Sequence, residues 1–222
     1  MLGDLNSDDL KLHLKNNRIT AEGLFQIHVI QRRAYIFSKD PDGLRREMDF
    51  RKEIAQSIGL SINEVNIVGS AQLGYSIKPH ARLREMDAKF NATNRLSDKS
   101  DIDVSIVSKQ YFEKVHSELS SFTKEFNESW EYTAYYRRAR DLERFDVKRA
   151  DYQFYRYFSR GWIRPDFCPD GFKFAFTPVV DGWKNLLQRK ISLGIYRDWR
   201  CLKDYQEKAF NSLRIMAIKG EL

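Results

Sequence analysis

Asp101 and Asp103 stand two residues apart in the run Lys99-Ser100-Asp101-Ile102-Asp103-Val104-Ser105-Ile106-Val107. In a β-strand successive side chains point to opposite faces, so this spacing predicts both carboxylates on one face and Ile102 and Val104 in the core. Two carboxylates in one small volume repel unless a cation neutralises them. Mg²⁺ suits that role where phosphates are also present, because it takes one or two carboxylates together with phosphate oxygens and water. The phosphate end is offered upstream by Val68-Gly69-Ser70-Ala71-Gln72-Leu73-Gly74. Glu64 to Val68 reads as a short strand running into Gly69-Ser70, where a glycine lets the backbone approach a ligand closely. Ser70 offers a hydroxyl, and the N–H groups that follow open a helix N-terminus. Alone, Gly-Ser after a strand is an ordinary turn; joined to Ser-Asp-Ile-Asp in a following strand it reads as a phosphate-and-metal site.

Over about Val65 to Val107 the combination resembles the polymerase-beta-like nucleotidyltransferase superfamily, whose members carry a strand ending in Gly-Ser, a helix, and then a strand bearing Asp-x-Asp. The resemblance implies that Gly69 and Ser70 hold nucleotide phosphates, that Asp101 and Asp103 hold two Mg²⁺ (or Mn²⁺) ions, and that a third acid on a later strand completes the site. It further implies transfer of a nucleoside monophosphate from a nucleoside triphosphate to a hydroxyl of an RNA, a protein or a small molecule. Short members recur in bacterial toxin–antitoxin and phage-defence systems, so a cognate antitoxin is an expected partner beside the RNA or protein acceptor. A catalytically silent form of the same fold, binding RNA or a protein, is the alternative.

The chain departs from that pattern twice. Thirty residues, Ala71 to Ser100, separate Ser70 from Asp101, more than the family commonly uses, which predicts an insertion near 78–98. Lys78, His80, Arg82 and Arg84 lie in it, available either to nucleotide and acceptor or to solvent. The third acid is the other departure. Asp166, in Ile163-Arg164-Pro165-Asp166-Phe167, is the first choice because Gly161 ends a helix and the next residues can be extended. Asp181, after Pro178-Val179-Val180, is the second, and the third acid can also be absent. Asp146 and Asp151 read as helix-surface charges.

The elements that must position these groups predict an α+β fold: a small mixed nucleotidyltransferase sheet flanked by helices, with a helical C-terminal part. The resemblance implies that residues 1–181 form a nucleotidyltransferase-like domain with N-terminal helices and the insertion, and that 182–222 form a helical segment packed on it. A buried helix is expected over Gly23 to Phe37, with a strand as the alternative, and a helix begins at Asp40-Pro41 as cap and first helical residue and ends at Gly59. Ser108 caps a helix whose Phe112, Val115, Leu119, Phe122 and Phe126 form a core stripe. Trp130 to Ser159 interleaves arginines with tyrosines. That mixture suits unpaired RNA, and its acidic residues equally suit an ion-paired amphipathic helix. Phe172-Lys173-Phe174-Ala175-Phe176 alternates as a strand closing the sheet. A short helix over Trp183 to Ile191 follows, and Ile195, Trp199, Leu202, Ala209, Leu213 and Met216 line a final one, with Tyr196, Arg197 and Arg200 near its start as further candidates for nucleotide contact.

Composition bounds the rest. With 222 residues, 42% of them hydrophobic and 14% aromatic, the chain can bury a substantial core and is not of the disordered class. Its 38 basic against 31 acidic residues, net +7, favour a polyanionic partner. Cys168 and Cys201 form no Cys-x-x-Cys pair, and the four histidines show no zinc spacing, which argues against a structural zinc and for a reducing compartment. The acidic start, Met1 to Asp9, lacks the basic-then-apolar pattern of a signal peptide, and no stretch is apolar enough to span a bilayer. A cytoplasmic protein without a membrane partner is expected.

Overall fold

Alternation along one strand organises the molecule. In the computed structural model, which describes residues 6–128, 130 and 150–222, strand β2 (Ile102–Val107) buries Ile102, Val104 and Ile106 on one face. It turns Asp103 and Val107 to the other, as the period of two requires. Fully burying an isoleucine contributes about 1.5–3 kcal/mol, so Ile102 and Ile106, both at 0% exposure, pin the register that brings Asp103 to its face. β1 (Val65–Val68) runs antiparallel beside β2 with Val68 opposite Asp103. β4 (Ile191–Tyr196) runs parallel on the other side with Ser192 opposite Asp103. The two-residue β3 (Trp162–Ile163) closes that edge antiparallel to β4. The fold is thus α+β, built on a four-stranded mixed sheet in the order β1-β2-β4-β3.

One face of the sheet is covered by α4 (Gly43–Ser57), α7 (Lys109–Phe122) and α9 (Thr177–Leu187), through Phe50, Ile54, Phe112, Val115 and Trp183. The Ser108 side chain caps α7 by accepting the Tyr111 N–H, as expected from the sequence. The other face belongs to α10 (Trp199–Ile218), which also packs on α1 (Ser7–Lys15) and α2 (Ala21–Phe25). Leu10, Leu14, Leu202, Phe210 and Leu213 form the core there. Among the described residues no helix is long and apolar enough to cross a membrane.

Several expected elements are laid out differently. The helix expected over 23–37 is broken: α2 passes into a π-helical turn at Gln26–Ile30, and a separate single turn, α3 (Tyr35–Ser38), follows. The next helix starts at Gly43 with Asp42 in the cap position, because Asp40 spends its carboxylate on the Asp42 N–H and on Arg46. Phe172 to Phe176 is not a strand. Its aromatic rings pack on one another, Phe172 against Phe174 at 5.0 Å and Phe174 against Phe176 at 4.9 Å, so alternation here serves a loop leading into α9. The strand is supplied instead by Ile191–Tyr196, inside the segment 182–222 expected to be wholly helical, and it lies between β2 and β3.

The expected insertion near 78–98 is docked onto the sheet's entrance. Tyr75 and Glu85 form a β-bridge, the Met86 N–H donates to Gly74 O at 2.7 Å, and Leu83 and Met86 are buried. A short α-helix, α6 (Ala88–Thr93), and two 3₁₀ turns, Pro79–Ala81 and Leu96–Asp98, complete it. Of the aromatic and basic segment Trp130 to Ser159, residues 131–149 lie outside the described ones, as does Asp146. Trp130 is buried against Phe154, at 4.9 Å between rings, and α8 (Ala150–Phe158) leads from there to β3.

Candidate active site

β1 ends where Gly69 takes a positive φ of +66°, a conformation that side-chain-bearing residues rarely adopt. A Cβ at this position would stand 2.8 Å from Asp103 Oδ2, so a glycine is required both for the turn and for the carboxylate that presses on it. Ser70 follows as a half-buried residue in α5 (Gly69–Leu73), whose five residues carry too few aligned peptides for a strong helix dipole. The positive potential in this corner comes from side chains instead. Lys78, at the start of the insertion, Lys190, just ahead of β4, and Arg164, just after β3, all act on Asp103.

Asp103 is held in conflict. Burial pushes its carboxyl up to about 6 and the neighbouring Asp101 pushes in the same direction, while Lys78, Lys190 and Arg164 pull it back. Asp101 lies one residue ahead of β2, more open to solvent, with Lys190 Nζ 2.8 Å from its Oδ2. The structure brings Gly69, Asp101 and Asp103 to one cavity, and Ser70, expected to hold phosphate, is not among the residues that line it. The cavity measures 1110 Å³, and its walls also include Lys190, Arg164 and Tyr205 of α10.

The expected third acid is placed otherwise. Asp166 lies in the wall of the same cavity, in a 3₁₀ turn (Pro165–Phe167). Its carboxylate is taken bidentately by Arg164, whose Nε and Nη2 donate at 3.0 and 2.7 Å. That guanidinium is itself stacked on Phe167, 4.4 Å from the ring centroid, which fixes the pair in place. Asp181 sits in helix α9, not after a strand, and is bonded to Lys184 at 2.7 Å. The strand neighbour of Asp103 on β4 is Ser192, and among the described residues no group of three or more His, Cys, Asp or Glu side chains is arranged to hold a metal.

Known proteins add nothing to this picture. No family model, curated protein or solved structure matches the chain.

Two carboxylates on one face, one of them driven towards protonation by burial and by the other's charge, are a donor set that a divalent cation relieves. Their oxygen chemistry fits Mg²⁺ or Mn²⁺ shared with phosphate oxygens, and falls short of a closed all-protein cage. Of the insertion's basic residues only Lys78 lines the cavity; His80, Arg82 and Arg84 are exposed. Tyr196 is a buried strand residue that lines the cavity, whereas Arg197 and Arg200 do not line it and are exposed beside Asp198 and Asp204. Sequence reasoning missed Lys190, Arg164 and Tyr205 as wall residues. The signal for Lys190 was available: Ile191, Leu193 and Ile195 alternate, which marks a strand with Lys190 at its mouth.

Proposed function

We propose that this chain is a Mg²⁺-dependent nucleotidyltransferase of the polymerase-beta-like kind, moving a nucleoside monophosphate from a nucleoside triphosphate to a hydroxyl of an RNA or protein acceptor, in a toxin–antitoxin or phage-defence setting. The observation that carries the reading is the seating of Asp103 against the positive-φ Gly69, with Asp101 on the same edge of one cavity. It joins the glycine turn and the aspartate pair in one place, though thirty residues separate Ser70 from Asp101 in sequence.

Asp101 and Asp103 would hold the divalent cation, which when bound withdraws charge from the triphosphate and lowers the pKa of the acceptor hydroxyl. The turn at Gly69 would bring backbone close to the phosphate oxygens, and Lys78 and Lys190 would supply positive charge along them. The acceptor oxygen forms the new bond to the α-phosphorus, the bond to the bridging oxygen of the β-phosphate breaks, pyrophosphate leaves and the acceptor's proton passes to solvent. The cavity exceeds what a nucleotide alone requires, which leaves room for the acceptor.

A second reading, a silent fold that binds RNA or a protein, draws support from the Arg164 clamp on Asp166 and from Ser192 opposite Asp103. One experiment separates the two. Incubation with α-phosphate-labelled ATP, CTP, GTP and UTP, Mg²⁺ or Mn²⁺, and total cellular RNA and protein should give covalent label that Asp101→Asn abolishes. Absence of label with every nucleotide and both metals would leave the binding reading in possession.

A further inference from the structure

Lys190 stands where the cavity's charge is decided. Its Nζ is 2.8 Å from Asp101 Oδ2, and the Ile102 N–H donates to Lys190 O at 2.8 Å, so the backbones bearing the two charges are tied side by side. Arg189, one residue earlier, reaches the other way. Its Nη1 donates to Asp87 Oδ1 at 2.7 Å and to Ser100 O at 3.2 Å. Asp87 accepts the Ser100 N–H at 2.9 Å and gives its own N–H to Ser100 Oγ at 3.0 Å. The insertion thus locks the backbone on both sides of the Asp101–Lys190 pair. The Lys190 side chain is 55% exposed on a four-carbon stem, so its ammonium can exchange Asp101 for another anion without disturbing that lock. A second, shallower cavity of 390 Å³ lies against the pair, and Asp101 and Lys190 border both hollows.

Asp101 and Asp103 already have cations set against them: Lys78, Lys190 and Arg164 all act on Asp103, and Lys190 pairs with Asp101. A lone divalent cation would meet the Lys190 ammonium already on Asp101. A triphosphate carrying one divalent cation brings net negative charge, and Lys190 then has phosphate oxygens to move to.

We propose that Lys190 is a built-in counter-ion that holds Asp101 against a lone divalent cation and yields it to one arriving with a triphosphate, making metal and nucleotide bind together. The inference rests on the nucleotidyltransferase reading of this site. It makes Lys190 a positioning residue whose effect is read in binding.

The test is Mn²⁺ titration of the full chain, followed by the electron paramagnetic resonance of free Mn²⁺, with and without α,β-methylene ATP. Native protein, Lys190→Met, Lys190→Arg and Asp101→Asn are compared, with circular dichroism confirming the fold of each. Lys190→Met should bind Mn²⁺ alone about tenfold more tightly than the native chain, since a like charge next to the site is gone. Lys190→Arg should behave as native, and the native chain should reach the variant's affinity only when the analogue is present. The analogue should bind Lys190→Met about tenfold more weakly, through loss of a charged phosphate contact. Equal Mn²⁺ affinity in native and Lys190→Met proteins, lost in Asp101→Asn, would overturn the role of Lys190 and leave the metal site standing. Absence of Mn²⁺ binding in all four, with or without the analogue, would remove the nucleotidyltransferase reading too.

Discussion

On β2, Ile102, Val104 and Ile106 are at most 2% exposed and packed among the side chains of α4 and α7, while Asp103, one residue from each of two of them, faces a cavity with its carboxyl pushed up to about 6. The same backbone, in the same register, thus carries a face that stabilises and a face that costs stability. The difference shows that the conflict at Asp103 is tolerated because the opposite face over-determines the strand. An ionised carboxylate set against another at partial burial persists only where something else holds it there.

The sharpest way to break that comparison is to move the conflict to the wrong face. Ile106→Asp places an unpaired carboxylate at a site with 0% exposure, and a loss above about 4 kcal/mol is expected, seen as an absent or greatly weakened urea unfolding transition. Next in size is His28, fully buried, with His13 Nδ1 3.0 Å from its Nε2 and its pKa lowered to about 4 by burial first and then by the charges of His13 and Arg32. A group that folding keeps neutral stabilises above its unfolded pKa and loses that stability as pH falls. The window runs from about 6.5 down to about 4, with about 3 kcal/mol at stake. His28→Gln should flatten this acid limb, and an unchanged limb in the variant would place the acid sensitivity elsewhere.

Asp103 bends the same curve from the other side. Its raised folded pKa means the penalty is absent below about 4, grows as pH rises to about 6 and stays constant above. Asp103→Asn should therefore unfold at higher temperature than the native chain at pH 8, by about 2 kcal/mol of stability after allowing for the carboxyl's partial access to water, with the gap closing at pH 4. The same variant should lose transfer activity. A protein that loses function while gaining stability would confirm that this face is kept for chemistry, whereas a destabilised Asp103→Asn would make the residue structural.

Legibility followed the same division. Period two put Ile102 and Val104 in the core and the aspartates together, the Ser108 cap marked α7, and Gly69 was readable because few roles besides a turn or a close approach explain a glycine after a short apolar strand. β4 carried the same alternation at Ile191, Leu193 and Ile195, but a competing reading hid it. Gly194 and Tyr196 sit where a helix start is plausible, and the parallel pairing that makes Ile191–Tyr196 a strand is made with residues 89 positions earlier. Phe172 to Phe176 failed in the opposite sense: alternation was present, but the rings found one another without a sheet. Asp166 was reached from the extended residues after Gly161, and with β4 unread the position opposite Asp103, which holds Ser192, was not considered.

That position supplies the smallest effect and the finest test. Ser192 is half-buried beside Asp103, so Ser192→Asp adds a third carboxylate to the costly face and should lower stability by about 1 kcal/mol at neutral pH through like-charge repulsion. If the face is a cation site, Mn²⁺ should restore that loss and more, because the variant completes a donor set that two aspartates only begin. Thermal unfolding at pH 7.5 with and without Mn²⁺ reads both terms in one experiment. A Ser192→Asp protein whose midpoint ignores Mn²⁺ would mean that the carboxylates do not converge on a common ion. The contrast between the two faces of the sheet would then be one of burial alone.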